Sequence, residues 1–192
     1  MQDSMNVSVE GFVKITSYAD ADKNDPVILL SKRNAIHKEH MSIALARALA
    51  GEDSGHVYSM HFGSGGATID QAGSISYADP NVIGAADLNV PAYHEVVDST
   101  RGAPDGNTVG SRHVVGLATT DVEIRCVLAK DEPFGQPAFD NTVVTIEGDF
   151  VFDEIGLKTS DGLLLTHIVF APITKSANRV IEVVYVLRIR IS

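Results

Sequence analysis

Residues 149–192 read DFVFDEIGLKTSDGLLLTHIVFAPITKSANRVIEVVYVLRIRIS, and this stretch decides the fold. It contains three apolar segments separated by turn-forming residues: Phe150–Leu157, Leu163–Phe170 and Val180–Ile191. In the last segment every second side chain is apolar, whereas Glu182, Arg188 and Arg190 share the opposite face. A period of two predicts β-strands. Because a long strand with one apolar face needs a second layer to cover it, we expect a β-sandwich.

Composition places the chain among ordinary globular proteins. It has 192 residues, of which 44% are hydrophobic and 21% are charged, and a formal net charge of −10. This length suits one domain, so we expect residues 1–192 to form a single unit. The acidic balance disfavours nucleic acid and anionic membranes as partners, since both are bound through Lys and Arg. We also expect neither a membrane helix nor a signal segment.

The first half of the chain predicts strands and one helix. Val7–Ile15 alternates and predicts a strand, followed by a polar turn and a short strand at Val27–Leu30. A helix is predicted over Lys38–Ala50, with Gly51 as its C-terminal cap. Its predicted apolar face consists of Met41, Leu45, Ala48 and Leu49. We expect this helix to cover an open end or edge of the sandwich.

The middle of the chain has weaker periodicity. The segment Ala67–Ser111 predicts long ordered loops, with short strands at Ile75–Tyr77 and Tyr93–Val97. Further strands are predicted at Val57–Phe62, Val114–Ala118, Thr120–Lys130 and Thr142–Glu147. The predicted fold class is therefore mainly β: an antiparallel, jelly-roll-like β-sandwich with one covering α-helix.

Several segments, taken in order, resemble one known family. They are RNAIHKEHMSIALARALA (Arg33–Ala50), YSMHFGSGG (Tyr58–Gly66), FDEIGL (Phe152–Leu157), LLTHIVFAPITKSANR (Leu164–Arg179) and IEVVYVLRI (Ile181–Ile189). Their order and spacing are similar to virion proteins of tailed bacteriophages, described as structural or tail proteins. In that pattern a GxG turn follows an early helix and strand, and an E(I/A)GL strand precedes a closing pair.

The resemblance implies a non-enzymatic virion component, assembled in the host cytoplasm with copies of itself and other virion proteins. The neck, collar or tail is the first expected position, and capsid decoration is the close alternative. We expect a homo-oligomer, because identical subunits associate through repeated, symmetric contacts. A carbohydrate-binding module is the alternative from another class. Against it, Trp is absent and aromatic residues make up only 6% of the chain.

Residues that could carry chemistry favour structural roles. His37 and His40 flank Glu39 at a spacing that can bind metal, with His56 and His61 following, but no HExxH motif is present. We predict a helix cap and a polar rim instead. No catalytic residue, cofactor or metal is expected.

Other polar and reactive residues have similar structural interpretations. Asp153 and Glu154 are adjacent on a strand, which predicts side chains on opposite faces, with Glu154 beside an arginine. The glycines of Gly63–Gly66 predict a tight turn with positive φ. Cys126 is expected to be a buried thiol, and His167 a hydrogen-bonded rim residue.

Four residues are candidates for an interface with other subunits. Arg188 and Arg190 lie on one strand face, and we expect Glu182 to join them. In an acidic protein such a row predicts pairing with acids of the same sheet or of a neighbouring subunit. Tyr77 and Tyr93 lie in the loop-rich segment and complete the candidate set.

Overall fold

The computed structural model describes residues 5–113, 115–130, 132–133 and 150–192. Within them the helix α1 spans Lys38–Ala50. The strands are β1 (Val7–Tyr18), β2 (Val27–Ile36), β3 (Ser59–Gly63), β4 (Ala67–Ile69), β5 (Ile75–Tyr77), β6 (Pro91–Val96), β7 (Thr108–His113), β8 (Thr119–Leu128), β9 (Phe150–Lys158), β10 (Leu164–Lys175) and β11 (Val180–Ile191). In the described part of the chain no helix is long and apolar enough to span a bilayer.

Nine of these strands form one antiparallel sheet that curls into two layers. Their order is β6-β3-β9-β10-β2-β1-β11-β8-β7, and β4 and β5 form a separate hairpin. The two halves meet where β10 pairs with β2 through only two residue pairs, Thr166 with Ile36 and His167 with Ala35. This brief pairing lets the halves turn toward each other. The predicted antiparallel β-sandwich with one helix is confirmed.

The core lies between the two layers. Ile15, Ile124 and Val183 of one layer belong to the same buried cluster as Phe62 and Ile155 of the other. A buried hydrogen bond crosses this core, from the Thr166 hydroxyl on β10 to the Tyr185 hydroxyl on β11, at 3.1 Å. The apolar face predicted for the last strand therefore faces the core, and its aromatic member also bonds the opposite layer.

The C-terminal strands agree with the sequence except at one boundary. β9 and β11 lie where they were predicted. The predicted end of β10 at Phe170 is wrong, because the strand continues to Lys175. Its pairing with β9 is irregular between Val169 and Ile173 and then resumes. Pro172, which has no backbone N–H to donate, lies inside that irregular step, as is usual for proline in a strand.

Helix α1 has the predicted bounds but a different buried face. His37 is its N-cap, and Gly51 caps its C-terminus with a φ of +74°. The residues that it buries are His40, Met41 and Ala44. Leu49 is 91% exposed, so the predicted apolar face is wrong at its C-terminal end. The helix lies against β10, and its last three residues, Ala48, Leu49 and Ala50, are exposed.

The middle segment contains more strand than predicted. The short strands predicted at Ile75–Tyr77 and Tyr93–Val97 are confirmed as β5 and most of β6. Interpreting the rest of residues 67–111 as loops was wrong, because β4 and the edge strand β7 also lie or begin there. Edge strands alternate weakly because much of each lies in solvent. The strand predicted at Val114–Ala118 is also wrong, since residues 115–118 form a turn in which Gly116 has a φ of +84°. The strand predicted at Thr142–Glu147 lies outside the described residues.

The cross-layer hydrogen bond gives a direct test of the core. Tyr185→Phe should lower the free energy of unfolding by about 1–3 kcal/mol, because it leaves the Thr166 hydroxyl without its acceptor. Urea denaturation measures this change. Tyr77→Phe removes the hydroxyl of an exposed tyrosine and should change the stability by less than about 0.5 kcal/mol. Equal effects of the two substitutions would contradict the proposed role of the Tyr185 hydroxyl.

Candidate functional site

The pairing of β9 with β10 is irregular beside two buried carboxylates, Asp153 and Glu154, which lie on the same side of β9. Phe152 and Ile155 both belong to the core although they are three residues apart. The strand alternation therefore breaks between them, as expected beside an irregular pairing. Asp153 accepts hydrogen bonds from the N–H groups of Gly66 and Ala67, and Glu154 accepts one from Gly65. The prediction that these carboxylates point to opposite faces is wrong, because both contact one short turn.

Glu154 is the centre of this site. Its side chain is fully buried. Its two oxygens accept five hydrogen bonds, from the N–H groups of Gly65, Asn89 and Val90, the Asn89 side-chain amide and His167 Nε2, at 2.8–3.2 Å. Burial alone would raise the pKa of Glu154, but the hydrogen bonds from His167, Val90 and Asn89 outweigh burial and lower it. The fold therefore stabilises an ionised carboxylate at this position.

Glu154 pairs with the imidazole of His167, whereas the sequence predicted an arginine beside it. The imidazole is fully buried rather than at a rim, so the sequence-based interpretation is wrong in its burial and correct in its hydrogen bonding. Its Nδ1 accepts from the Asn81 N–H at 2.7 Å, so the ring proton lies on Nε2, which donates to Glu154 at 2.9 Å. Both ring nitrogens are thus engaged, and the histidine has no free nitrogen for proton transfer to a substrate.

Asp153 differs from Glu154 in its surroundings. Burial raises its pKa, and the hydrogen bonds from Gly66 and Ala67 offset only part of that effect. The neighbouring Glu154 charge raises it further. The two adjacent carboxyl groups therefore have pKa values shifted in opposite directions. Both are buried under the loops that they bind, so the pair is an anchor rather than an exposed acid–base pair.

The glycines of the GSGG motif are required by close approach, not by backbone conformation. None of Gly63, Gly65 and Gly66 has a positive φ, so the predicted reason for them is wrong. A Cβ at Gly63 would lie 2.6 Å from the Val90 carbonyl oxygen, and one at Gly66 would lie 2.6 Å from the Asp153 carbonyl oxygen. Only glycine lets this turn reach the buried carboxylates.

Residues 67–90, which we call the loop surface, cover the outer face of β9 and β10. The hairpin β4–β5 lies against β10. The following loop is fixed at Asn81 by His167, at Asp87 by a 2.6 Å ion pair with Lys158, and at Asn89 and Val90 by Glu154. Leu88 packs with Ala86 and Leu164 in a second small core. The loop surface is therefore anchored at several points along its length rather than only at its ends.

The loop surface exposes apolar side chains. Its largest exposed members are Ile69, Ile75, Tyr77 and Ile83, with Val90 at its end. Ile83 is 86% exposed and Tyr77 is 55% exposed. An anchored surface with exposed apolar side chains is typical of a contact site between proteins.

The structure separates the four candidate interface residues. Arg188 forms a bidentate pair with Asp121 at 2.7 and 2.8 Å, and Arg190 lies 3.4 Å from Glu10. Both arginines therefore pair within the sheet. Glu182 does not join them, since it binds Lys23 and Arg125 instead.

The two tyrosines lie in different places. Tyr77 belongs to the loop surface, whereas Tyr93 is half-buried on the edge strand β6. The Tyr93 hydroxyl donates to the buried Glu95 carboxylate. Burial raises the pKa of Glu95 to about 7, and the nearby Glu132 charge adds to the shift. Tyr77 and Arg190 are the exposed candidates, and of these two only Tyr77 belongs to the loop surface, whereas Arg190 pairs with Glu10.

The histidines singled out by the metal hypothesis have structural partners. His37 Nδ1 accepts from the His40 N–H at 3.2 Å, as the predicted helix cap, and the two rings stack with centroids 3.6 Å apart. His56 lies 3.0 Å from Asp98, and His61 bonds the Ser59 hydroxyl at 2.9 Å. Within the described ranges no group of three or more His, Cys, Asp or Glu side chains is arranged to hold a metal ion.

Comparison with family models, with curated proteins and with solved structures finds no match to this chain.

Cys126 is fully buried, as predicted, and burial raises the pKa of its thiol. The anchor formed by Glu154 and His167 was missed from the sequence. Two signals could have indicated it: apolar Phe152 and Ile155 at a spacing of three, and a histidine within an apolar strand.

Substitution of the two carboxylates should have unequal effects. Glu154→Gln should lower the free energy of unfolding by about 2–5 kcal/mol, because an amide nitrogen cannot accept hydrogen bonds and leaves buried donors unsatisfied. Asp153→Asn is the matched change at a group whose ionised form the fold disfavours, so its cost should be smaller. Chemical denaturation of both variants measures which substitution lowers the free energy of unfolding more. A larger loss for Asp153→Asn would contradict the assignment of Glu154 as the main anchor.

Glu95 should make stability depend on pH in a defined direction. Its pKa rises on folding from 4.5 to about 7, so its stabilising contribution is complete below pH 4.5 and is lost as the pH rises through 7. Glu95→Gln, which cannot ionise, should be more stable than the wild type by about 1–3 kcal/mol at pH 8. That advantage should shrink toward pH 4.5. Thermal unfolding across this range measures it, and a difference independent of pH would contradict the shift.

Proposed function

We propose that this chain is a non-enzymatic structural component of a tailed-bacteriophage virion, which assembles with copies of itself and with other virion proteins. The proposed position is the neck, collar or tail. The order of the segments from Arg33–Ala50 to Ile181–Ile189 supports the proposal through its resemblance to virion proteins. The anchored loop surface supports an assembly role on physical grounds.

The observation that carries the proposal is the use of buried polar groups as anchors. Glu154 and His167 are fully buried, and their hydrogen-bonding atoms are engaged with loop backbone and with each other. An acid–base site needs a nitrogen or carboxylate that reaches a substrate. These groups instead hold a surface in place before any partner arrives, which reduces the ordering cost of association.

The composition of the loop surface indicates the chemistry of its partner. Residues 67–90 include three aspartates, Asp70, Asp79 and Asp87, and no Lys or Arg. Exposed apolar side chains, led by Ile83 and Tyr77, lie among them. A complementary surface would have an apolar centre and basic residues around it. In an assembly, this surface of one subunit would contact a neighbouring virion protein.

Labelling of purified phage particles tests the function and the position. Antibodies raised against the recombinant chain should bind particles at the neck or tail in electron micrographs. Label over the capsid would replace the proposed position with the decoration alternative. The absence of the chain from purified particles, by mass spectrometry, would overturn the virion proposal itself.

A variant of the loop surface should separate assembly from folding. Ile83→Asp should reduce incorporation into particles at least about tenfold, because it places a charge in the apolar centre of the contact. Its melting temperature should stay unchanged, since this side chain is 86% exposed. Val115→Asp is the matched control, because Val115 is 91% exposed in the turn before β8. Equal incorporation of both variants would contradict the role of the loop surface.

A further inference from the structure

Two histidines lie side by side on the layer formed by β6, β3, β9 and β10. His61 of β3 and His94 of β6 are directly opposite each other in the antiparallel pairing. Their rings are stacked, with centroids 5.0 Å apart and planes inclined by 15°. The neighbours of His61 along β3, Met60 and Phe62, belong to the core, so strand alternation turns His61 to the outer face. His61 is partly exposed there and His94 is exposed.

The two rings have nitrogens that the described part of the chain does not use. His61 Nε2 lies 2.9 Å from the hydroxyl of the buried Ser59, and Nδ1 has no hydrogen bond to a described residue. Neither ring nitrogen of His94 has one. When Nε2 of His61 donates to Ser59, Nδ1 keeps its lone pair. A hydrogen bond at the second ring nitrogen is what orients a metal-binding histidine.

The spacing of the rings suits one metal ion between them. Directly opposite residues of an antiparallel pair have Cβ atoms about 4.5–5.5 Å apart. A tetrahedral ion with metal–nitrogen distances of about 2.0–2.1 Å holds two nitrogens about 3.3 Å from each other. Rings with centroids 5.0 Å apart reach that nitrogen separation when the exposed His94 ring tilts toward His61.

The charges next to the pair are balanced. Lys158 and Asp87 are the charged groups that act on His61 besides His94 itself. The Lys158 ammonium lies 2.6 Å from an Asp87 oxygen, and its side chain is only 10% exposed. The carboxylate therefore neutralises the one cation that would repel a metal ion at this position.

We propose that His61 and His94 together bind one transition-metal ion of the kind that prefers imidazole ligands, such as Zn²⁺, Cu²⁺ or Ni²⁺. Among the described residues no third His, Cys, Asp or Glu is arranged with them as a ligand. Water, or a donor atom of a bound molecule, would therefore complete the coordination, as at metal sites that keep open positions. Mg²⁺ and Ca²⁺ would not bind here, because they prefer oxygen ligands.

The ion would join an edge strand to the sheet. β6 is an edge of the nine-stranded sheet and pairs with β3 alone among the described strands. Residues 64–90 separate the two strands in the sequence, so the histidine pair exists only in the folded chain. An ion that binds only the folded chain stabilises it. The site goes beyond the proposed function and does not depend on it, since neither histidine belongs to the loop surface.

Calorimetric titration of the full chain, prepared without a polyhistidine tag and freed of metal with EDTA, tests the site. Zn²⁺ should bind at one ion per chain, and Mg²⁺ should not bind. His94→Ala should weaken Zn²⁺ binding at least about tenfold, because it removes one of two protein ligands. His113→Ala is the matched control, since His113 is an exposed histidine on β7, in the other layer, and its loss should leave Zn²⁺ binding unchanged.

A second variant tests the other ligand. His61→Ala should weaken Zn²⁺ binding as much as His94→Ala does, with its fold checked by circular dichroism because His61 is partly buried. His94 is exposed, so its substitution tests the site even if His61→Ala does not fold. A wild-type chain that does not bind Zn²⁺ would overturn the proposal. Binding that His94→Ala leaves intact, or that His113→Ala weakens equally, would overturn it too. None of these results bears on the virion proposal.

Discussion

The structure depends on the burial of one ionised carboxylate. Glu154 is fully buried, and a charge in that position is tolerated only when hydrogen-bond donors surround it. Five donors do so, and four of them belong to the loops between β3 and β6. The irregular pairing of β9 with β10, the glycines at 63, 65 and 66 and the proton position on His167 all serve to bring those donors close. The loop surface is therefore fixed by buried side chains of β9 and β10.

This arrangement connects the fold with the proposed role. β9 and β10 of the sandwich form a layer on which the buried anchor fixes the loops, and the fixed loops expose apolar side chains. The opposite layer has cross-strand ion pairs on its outer face, including Arg188 with Asp121. An anchored surface that exposes apolar side chains is suited to contact with another protein.

The periodicity of apolar residues predicted the strands and the helix whose buried face follows that periodicity. The alternation of Val180–Ile191 and the helical spacing of Lys38–Ala50 indicated β11 and α1 with their bounds. Features that depend on contacts between residues far apart in the sequence could not be predicted from periodicity. Asp153 and Glu154, beside the irregular pairing of β9 with β10, are bound by residues more than sixty positions away. β6 and β7 alternate weakly because they are edge strands. Leu49 was assigned to the core because the pattern of one helix cannot show which part of its face the chain covers.

Hydrogen exchange at the loop amides measures most directly whether Glu154 holds the loop surface. The amides of Gly65, Asn89 and Val90 donate to this carboxylate, although Asn89 and Val90 lie in an exposed loop. The account predicts that these amides exchange slowly and that all three lose protection together in Glu154→Gln, while amides of β1 and β11 keep theirs. Rapid exchange of the three amides in the wild-type chain, at the rate of an exposed turn amide such as that of Gly102, would contradict it.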